Sequence, residues 1–537
     1  MHVVVVGSGF AGSILARVAR ATGHDVTLVE RGAHPRFALG ESSTPLAAIA
    51  LERLAARYGL ADLRDLAAYG RWTARLPGIR RGLKRGFTFY RHERGQPFHN
   101  DDANCNRLLV AASPDDDVAD THWLREDVDA FLFRRAATEG AACLDRTALD
   151  AIERRGGRFA LRGVRQGEPV RLTADLVVDA SGPDGFLARQ LGLGTTLPPD
   201  ALHTGLVYGH FRNVRPLRHA AGGAAAFPAG PYPDEAAAVH HLLDDGWMYE
   251  LAFDHGVVSA GFVVAGTAAV RTIADARPAE TFRTIARRYP SLAAQYEAAV
   301  PVRPVATMAR LQRRLSRGAG DGWALLPHVF QFWSPLFSTG IAWSLLGVER
   351  LGLLFEDVAA PGGGGREQLA PGLRKYGALL RSEADHLRRV IEPAYRCRCD
   401  FDAFDACVQA YFAAASYCEA RQRLCPPPLE TGGQWAWSGF LGATDPVLQR
   451  IFAEAARLVE KRRSEPRLDP RPLESLMDAM RRLVAPRNLA GLADPARRRL
   501  YPADAETIVA AADVIGLAPG EVRARLPQLR GEPPPKD

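Results

Sequence analysis

An α/β fold, interrupted by an antiparallel β-sheet and followed by a helical C-terminal extension, is what this sequence predicts. Three observations predict it. The chain opens on the apolar run His2-Val3-Val4-Val5-Val6, breaks into Gly7-Ser8-Gly9-Phe10-Ala11-Gly12, and continues as an apolar helical pattern through Ile14, Leu15, Val18 and Ala19. Residues 200–305 carry short alternating runs instead, the pattern of an antiparallel sheet. From about residue 366 onward the pattern is helical.

The opening run is β-branched and uninterrupted, so it reads as a buried parallel strand. In the spacing G-x-G-x-x-G, Gly7 makes the tight turn, Gly9 lets the backbone approach a pyrophosphate, and Gly12 lets helix and strand pack closely. The N–H groups at the helix start, around Phe10 and Ala11, face the phosphates with the positive end of the helix dipole. A second strand, Val26-Thr27-Leu28-Val29, ends in Glu30, an acid placed to take a ribose hydroxyl pair. Strand, turn, helix, strand and acid together predict a dinucleotide site.

Next comes Gly40-Glu41-Ser42-Ser43-Thr44-Pro45, a Ser/Thr-rich turn that closes in proline and starts a helix. Residues 80–98 read as strands. The stretch from Asp120 to Leu132 reads as a helix with acids in its first turn. A hairpin follows (Arg158 to Arg162, then Pro169 to Leu172), and the buried strand Leu176-Val177-Val178-Asp179 runs into Ala180-Ser181-Gly182. Gly246 to Phe253 and Val257 to Val264 form a hairpin around Asp254-His255-Gly256. Trp323 to His328 reads as a buried strand, and Phe332 to Gly340 leads into an apolar helix from Ile341. Gly362 to Gly365 lack a preceding strand and read as a loop, and Pro426 to Pro428 mark a break between helices. The predicted organisation is 1–195 for the first part of the nucleotide domain, 196–304 for the antiparallel sheet, 305–350 for the returning part, and 351–537 for the helical region.

A chain of 537 residues suggests two or three domains. Its 47% hydrophobic and 24% charged content is globular. The first strand starts at residue 2, which leaves no room for a signal peptide, and no run reaches membrane-spanning length; the expected location is cytoplasmic. The net charge of +7 is spread thinly and follows no nucleic-acid-binding motif. The seven cysteines show neither zinc spacing nor C-x-x-C, so free thiols are expected. Only four of the 68 basic residues are lysine, yet Lys84 stands among Arg80, Arg81, Arg85, Arg91 and Arg94. Guanidinium stays protonated, whereas a buried lysine can lose its proton. That contrast singles out Lys84.

These pieces together resemble the flavin-dependent halogenases, a branch of the FAD-dependent aromatic monooxygenases. The resemblance covers residues 1–350 by motif. It rests on the glycine turn with Glu30, on Gly40-Glu41-Ser42 as the flavin loop, on Lys84-x-Gly86-x-x-Phe89, and on Phe332-x-x-Pro335-x-x-Ser338-x-Gly340. Arg125 and Asp179-Ala180-Ser181-Gly182 fit the same scaffold. The resemblance implies a Rossmann-like FAD-binding domain. FAD would be held by Gly7, Gly9, Phe10, Ala11, Gly12, Glu30, Glu41, Ser42, Arg125, Ser181, Gly182, His328, Pro335 and Ile341. Chloride or bromide would sit at Ser338, Thr339 and Gly340, where helix N–H groups suit an anion. Reduced flavin and oxygen would turn halide into hypohalous acid, which reaches catalytic Lys84 beside an aromatic substrate. A separate flavin reductase would supply the reduced FAD, and the substrate would be free or tethered to a carrier protein.

Three departures qualify the resemblance. The family's W-x-W-x-I-P stretch reads Trp247-Met248-Tyr249-Glu250-Leu251-Ala252 here. Pro327-His328 replaces the Gly-Asp pair that holds the ribityl chain, though an imidazole also hydrogen-bonds a hydroxyl. Phe337 replaces the glutamate that assists the lysine in tryptophan halogenases, and Ser334 an aspartate; this favours an electron-rich phenol or pyrrole substrate. Asp115, Asp116 and Asp117 read as a solvated run. Tyr411, Phe412, Tyr417, Trp435 and Trp437 read either as helix core or as pocket lining. An FAD-dependent hydroxylase and a flavin-binding protein without catalysis stay open as alternatives.

Overall fold

The computed structural model describes residues 1–221, 227–267, 270–271, 277–360, 366–425, 436–464 and 473–532. Gly362 to Gly365, Pro426 to Pro428 and Trp435 lie outside the described residues. Strand His2–Val6 sits inside a six-stranded sheet, parallel to Leu176–Asp179 on one side and to Asp25–Val29 on the other. Ala142–Leu144 extends this sheet beyond Asp25–Val29, and Trp323–Leu325 with antiparallel Ala319–Gly320 closes the other end. Val3, Val4 and Val5 have no exposed surface. Helix Phe10–Ala21 packs on the strand and against helices Arg125–Thr138 and Gly340–Ala359, while Glu168–Ala174 of a three-stranded meander reaches it as well. A strand covered in this way has to be apolar on both faces.

The second sheet is larger and mostly antiparallel. Its strands run in the order Val300–Pro301, Thr204–Arg212, Val258–Ala265, Gly246–Ala252, Ala238–Leu243, Gly86–Arg91, Arg107–Ala111 and Leu500–Tyr501. The expected hairpin around residues 254–256 is present as Gly246–Ala252 paired with Val258–Ala265. Sheet membership does not follow the expected boundary at residue 196, because Gly86–Arg91 and Arg107–Ala111 belong to this sheet, and so does Leu500–Tyr501 from near the C-terminus. An apolar strand carries no mark of which sheet it will join.

Residues 80–98 carry strands as expected, and two local expectations after them are corrected. Arg81–Lys84 pairs with Asp120–Trp123, and Gly86–Arg91 joins the large sheet. Between them the Arg85 N–H turns to Ala236 O at 2.7 Å. Gly86 is required at the start of the second strand, since a Cβ there would lie 2.2 Å from Val110 O. The helix expected from Asp120 begins at Arg125, because Asp120–Trp123 is held as strand by its partner. The strand expected to reach His328 stops at Leu325, and Pro327–Phe330 forms a helical turn; proline has no N–H for a ladder and suits a first helical position.

The long C-terminal helices Arg366–Cys397, Phe401–Leu424 and Pro446–Ser464 pack on one another and on Gly340–Ala359 and Pro45–Tyr58. Arg350 and Glu383, both fully buried, tie them together. Glu383 accepts from Arg350 Nη1 at 2.8 Å and Nη2 at 2.5 Å, from Trp343 Nε1 at 2.8 Å and from the Phe440 N–H at 2.5 Å. All seven cysteines are free thiols, and among the described residues no helix is long and apolar enough to cross a membrane. Glu383→Ala leaves the Arg350 guanidinium buried without its counter-charge. Denaturant unfolding is expected to show a loss of about 3–5 kcal/mol, against under about 0.5 kcal/mol for a surface control such as Glu460→Ala.

Candidate active site

At the first turn, Gly7 adopts φ +104°, and a Cβ at Gly12 would stand 2.0 Å from Gly7 O. Strand and helix therefore approach as closely as the glycine spacing predicts. Glu30, buried behind the turn, accepts from Ser8 Oγ at 2.8 Å, from the Gly32 N–H at 2.9 Å and from Arg36 at 2.9 Å. Burial works to raise its proton affinity, but Arg36 and these hydrogen bonds outweigh it and hold the carboxyl below its usual range. In front of Gly9 lie two guanidinium groups. A Cβ there would meet Arg125 Nη2 at 3.4 Å and Arg36 Nη2 at 3.9 Å. Asp129, fully buried, accepts the Phe10 N–H at 3.0 Å and binds Arg125 through both oxygens at 2.9 and 2.8 Å. Arg125 also donates to Leu39 O and Gly40 O. Ser181 donates to Asp179 at 2.6 Å beside Gly7, where Ala180 O would meet a Gly7 Cβ at 2.5 Å. A bare backbone, a helix N-terminus and two cations converge here, which is the donor set that a pyrophosphate requires. Asp129 was not anticipated; its signal in the sequence is the i, i+4 spacing to Arg125.

The segment after Gly40 lies along strand Asp120–Trp123. Trp123 N–H donates to Glu41 O, and Ser43 N–H to Thr121 O. The Glu41 side chain turns away from this face and accepts from His210 Nε2 at 2.9 Å and Ser259 Oγ at 2.7 Å, which fastens the loop to the large sheet. Lys84 is fully buried behind the segment. Its Nζ donates to Ser43 O and lies 4.0 Å from the centroid of the Phe87 ring. Directly across the strand pair stands Asp120, 4% exposed. Burial lowers the pKa of Lys84 and raises that of Asp120, and the attraction between the two opposes both shifts.

The turn before helix Gly340–Ala359 closes the other side. Phe337 and Ser338 both adopt positive φ, at +69° and +53°, a conformation that costs a non-glycine residue roughly 1–2 kcal/mol. Its neighbours hold it there. Tyr411 Oη donates to Phe337 O at 2.9 Å, the two rings stack at 4.2 Å, and Ser338 Oγ meets Ser42 Oγ at 3.1 Å. Thr339 and Ile341 are buried, and Pro335 O accepts the Ser338 N–H. His328 packs against Gly340, where a Cβ would lie 2.7 Å from the imidazole, and stacks on Phe332. Desolvation first, then Arg313 and Arg125, lower its proton affinity, so it meets the helix start as a neutral ring. Ser334 hydrogen-bonds Tyr395 Oη, which in turn accepts from Trp247 Nε1 at 2.7 Å.

Residues far apart in the chain thus meet at Ser42 and Ser43, one touching the 335–340 turn and the other Lys84. Tyr411 and Phe412 belong to this aromatic shell through Phe87 and Phe337. Tyr417 and Trp437 are engaged elsewhere, against Arg487 and Lys375. Asp115 and Asp116 pair with Arg530 and Arg85 at the surface.

Residues 2–53 match the pyridine nucleotide-disulphide oxidoreductase family, a stretch that takes in the glycine turn and Glu30. Tetracycline 7-halogenase of Kitasatospora aureofaciens is 28% identical over 348 residues, which cover 63% of this chain and 60% of that protein. Monodechloroaminopyrrolnitrin halogenase PrnC of Pseudomonas fluorescens is 28% identical over 345 residues, covering 63% and 58%. The crystal structure of halogenase PltM in complex with phloroglucinol and FAD superposes with a TM-score of 0.79 over 93% of this chain and 99% of PltM, at 22% identity. The chain is a relative of the flavin-dependent halogenases. It spans about 60% of the length of the two curated halogenases. The likeness of fold to PltM takes in the helical C-terminal region as well.

Two neutral imidazoles flank the lysine. His122 donates to Ala237 O and His240 to Ala238 O, and burial pushes both down to about 3. Between pH 6.5 and 3 the unfolded chain takes up protons at these positions that the folded chain refuses, so each imidazole makes stability fall as pH falls. His240→Phe, which retains the stack on Phe89 and Trp247, is expected to flatten the dependence of unfolding free energy on pH by up to about 1.4 kcal/mol per unit. Denaturant titrations at pH 7, 6 and 5 measure this, and an unchanged slope contradicts it.

Proposed function

We propose that this chain is a flavin-dependent halogenase acting with FAD, oxygen and chloride or bromide on an electron-rich aromatic ring of the phenol or pyrrole class. The observation that carries the reading is Lys84, an amine sealed inside the protein at the junction of the nucleotide-side loop, the large sheet and the 335–340 turn. Burying it costs several kcal/mol, and a lysine used only for solubility stays on the surface.

The residues present fit FAD. Glu30 would take the ribose hydroxyls once Arg36 yields, and the Ala11 N–H would take the pyrophosphate together with Arg36 and Arg125, the Phe10 N–H being held by Asp129. Ser181 and Gly182 back the turn. The 40–42 segment, His328 and the stretch from Pro335 to Ile341 would enclose the ring end. Reduced flavin supplies, with oxygen, the oxidising power that converts halide to hypohalous acid. The helix start at Thr339 and Gly340 would hold the halide through N–H groups and dipole, beside Ser338, whose own N–H is held by Pro335 O, and the neutral His328 next to it sets no charge against an anion.

Lys84 would receive the hypohalous acid. As the ammonium it donates a hydrogen bond that polarises the halogen; as the neutral amine, which burial makes accessible, it takes the halogen on nitrogen. The aromatic shell of Phe87, Phe337, Tyr411 and Trp247 excludes water, which would otherwise consume the electrophile. Phe337 supplies no carboxylate, which suits rings activated by their own oxygen or nitrogen. The phloroglucinol bound to PltM is such a ring. Among the described residues one dinucleotide turn is present, so reduced flavin would come from a partner reductase.

With FAD, a flavin reductase, bromide and phloroglucinol, mass spectrometry is expected to show a brominated product. Lys84→Ala should lower its yield by about a hundredfold or more while FAD binding, followed by absorbance, is retained. A hydroxylated product without halogen, or full halogenation by Lys84→Ala, overturns the reading.

A further inference from the structure

Helices Pro45–Tyr58, Gly340–Ala359 and Phe401–Leu424 and the segment 438–446 leave a cavity of about 380 Å³ between them. That volume falls in the range of small-molecule sites, roughly 300–1,000 Å³. None of the residues assigned above to FAD, halide or halogen transfer lines it. Leu46, Ala50, Ala342 and Leu346 give it an apolar wall, in which the two small alanine side chains leave room for a ligand. The rest of the lining is polar and cationic. Among the described residues the guanidinium groups of Arg53, Arg421 and Arg487 reach the cavity, against the single carboxylate of Asp445.

The cations are fixed by their neighbours. Arg53 grips Glu349 through Nε and Nη2, both at 2.7 Å, and donates to Gln422 Oε1 at 2.6 Å. Arg487 bonds Asp445 at 3.1 and 3.4 Å and lies 4.6 Å over the Tyr417 ring, whose hydroxyl accepts from Arg421 at 3.0 Å. Even with Glu349 counted beside Asp445, three positive charges stand against two negative. Cys418, also in the lining, adds no anion, because burial first and then Asp445 push its thiol up to about 12. Water could solvate the guanidinium groups, but it would also wet the apolar wall, which costs free energy. An apolar body that carries an anion satisfies both halves of the lining. Guanidinium forks held in place suit a carboxylate, and the rings of Tyr417 and Phe440 in the lining favour a planar body.

We propose that this cavity binds a small aromatic carboxylate, its ring against Ala50, Ala342 and Leu346 and its carboxylate at the guanidinium groups of Arg53, Arg421 and Arg487. The inference goes beyond the halogenase reading and does not rest on it, since the cavity shares no residue with the site at Lys84. The two sites are nevertheless neighbours along the chain. Leu46 is in the first turn of the helix that follows Ser43 and Thr44, and Ala342 is in the first turn of the helix that starts at Gly340. The bound acid would therefore touch the first turns of both helices that leave the candidate active site.

The test is calorimetric titration of the protein, in the presence of FAD, with 1-naphthoate and with 1-naphthamide, a neutral counterpart of like shape. Naphthoate is expected to bind about tenfold or more tighter than naphthamide. Ala50→Phe, which fills the cavity, should weaken naphthoate about tenfold or more. Arg487→Gln should weaken it about tenfold and leave naphthamide unchanged. Asp445 accepts the Val447 and Leu448 N–H groups at the start of helix Pro446–Ser464, and asparagine retains that cap. Asp445→Asn should therefore tighten naphthoate about threefold, a gain that a damaged fold does not produce. The proposal is overturned if naphthoate up to about 1 mM gives no binding, if naphthamide binds as well, or if Ala50→Phe leaves the affinity unchanged. Should Ala50→Phe fail to fold, the Arg487 and Asp445 variants decide: opposite shifts support the proposal, and equal or absent shifts overturn it.

Discussion

Burial of the Lys84 amine is the constraint around which the rest of this structure is arranged. A charged group taken out of water must be given partners or lose its charge. Here a backbone carbonyl at Ser43, the face of Phe87 and the carboxylate of Asp120 share that task. Each depends on a separate piece of architecture. Ser43 is presented by a segment lying along Asp120–Trp123. Phe87 is positioned by a strand that leaves the Lys84 strand at Arg85 and joins the large sheet. Asp120 comes from a four-residue strand whose pairing displaces the start of the following helix.

The two sheets are therefore coupled through the lysine. One end of the Gly40–Thr44 segment meets Arg125 at the nucleotide turn, and Glu41 is fastened to His210 and Ser259 in the large sheet. Ser42 touches the turn that begins helix Gly340–Ala359. That turn carries two strained residues, and strain persists where the surroundings over-determine it. Tyr411 supplies much of that determination from a C-terminal helix, stacking on Phe337 and bonding its carbonyl. The C-terminal helices thus shape the 335–340 turn as well as covering it, with Arg350 and Glu383 locking them to the helix that starts there.

How much of this was legible in the sequence depends on the range of the cause. The first strand, its glycine turn and the helix after it are local features, set by sterics and by backbone hydrogen bonding within about thirty residues, and they form where they were read. Lys84 was legible from composition, because a lone lysine amid arginines is a chemical contrast. Phe332 to Gly340 was legible as a motif, though nothing in it announced positive φ at Phe337 and Ser338. The helix expected from Asp120 shows the limit. Its acids do favour a helix start, and Glu126 and Asp127 do occupy the first turn, but Asp120 to Trp123 meet Arg81 to Lys84 some forty residues away. That pairing overrides the local preference.

By itself the sequence determined a dinucleotide turn, an α/β core, an antiparallel sheet and a lysine out of keeping with its neighbours, since each follows from periodicity, glycine spacing or residue chemistry close along the chain. Only the tertiary structure decided that Asp120 faces Lys84, that Asp129 backs the nucleotide turn, that Glu41 serves the large sheet, and that Tyr411 holds the strained turn. Those relations join residues separated by tens to hundreds of positions. They come from which surfaces pack together, and no local pattern encodes that.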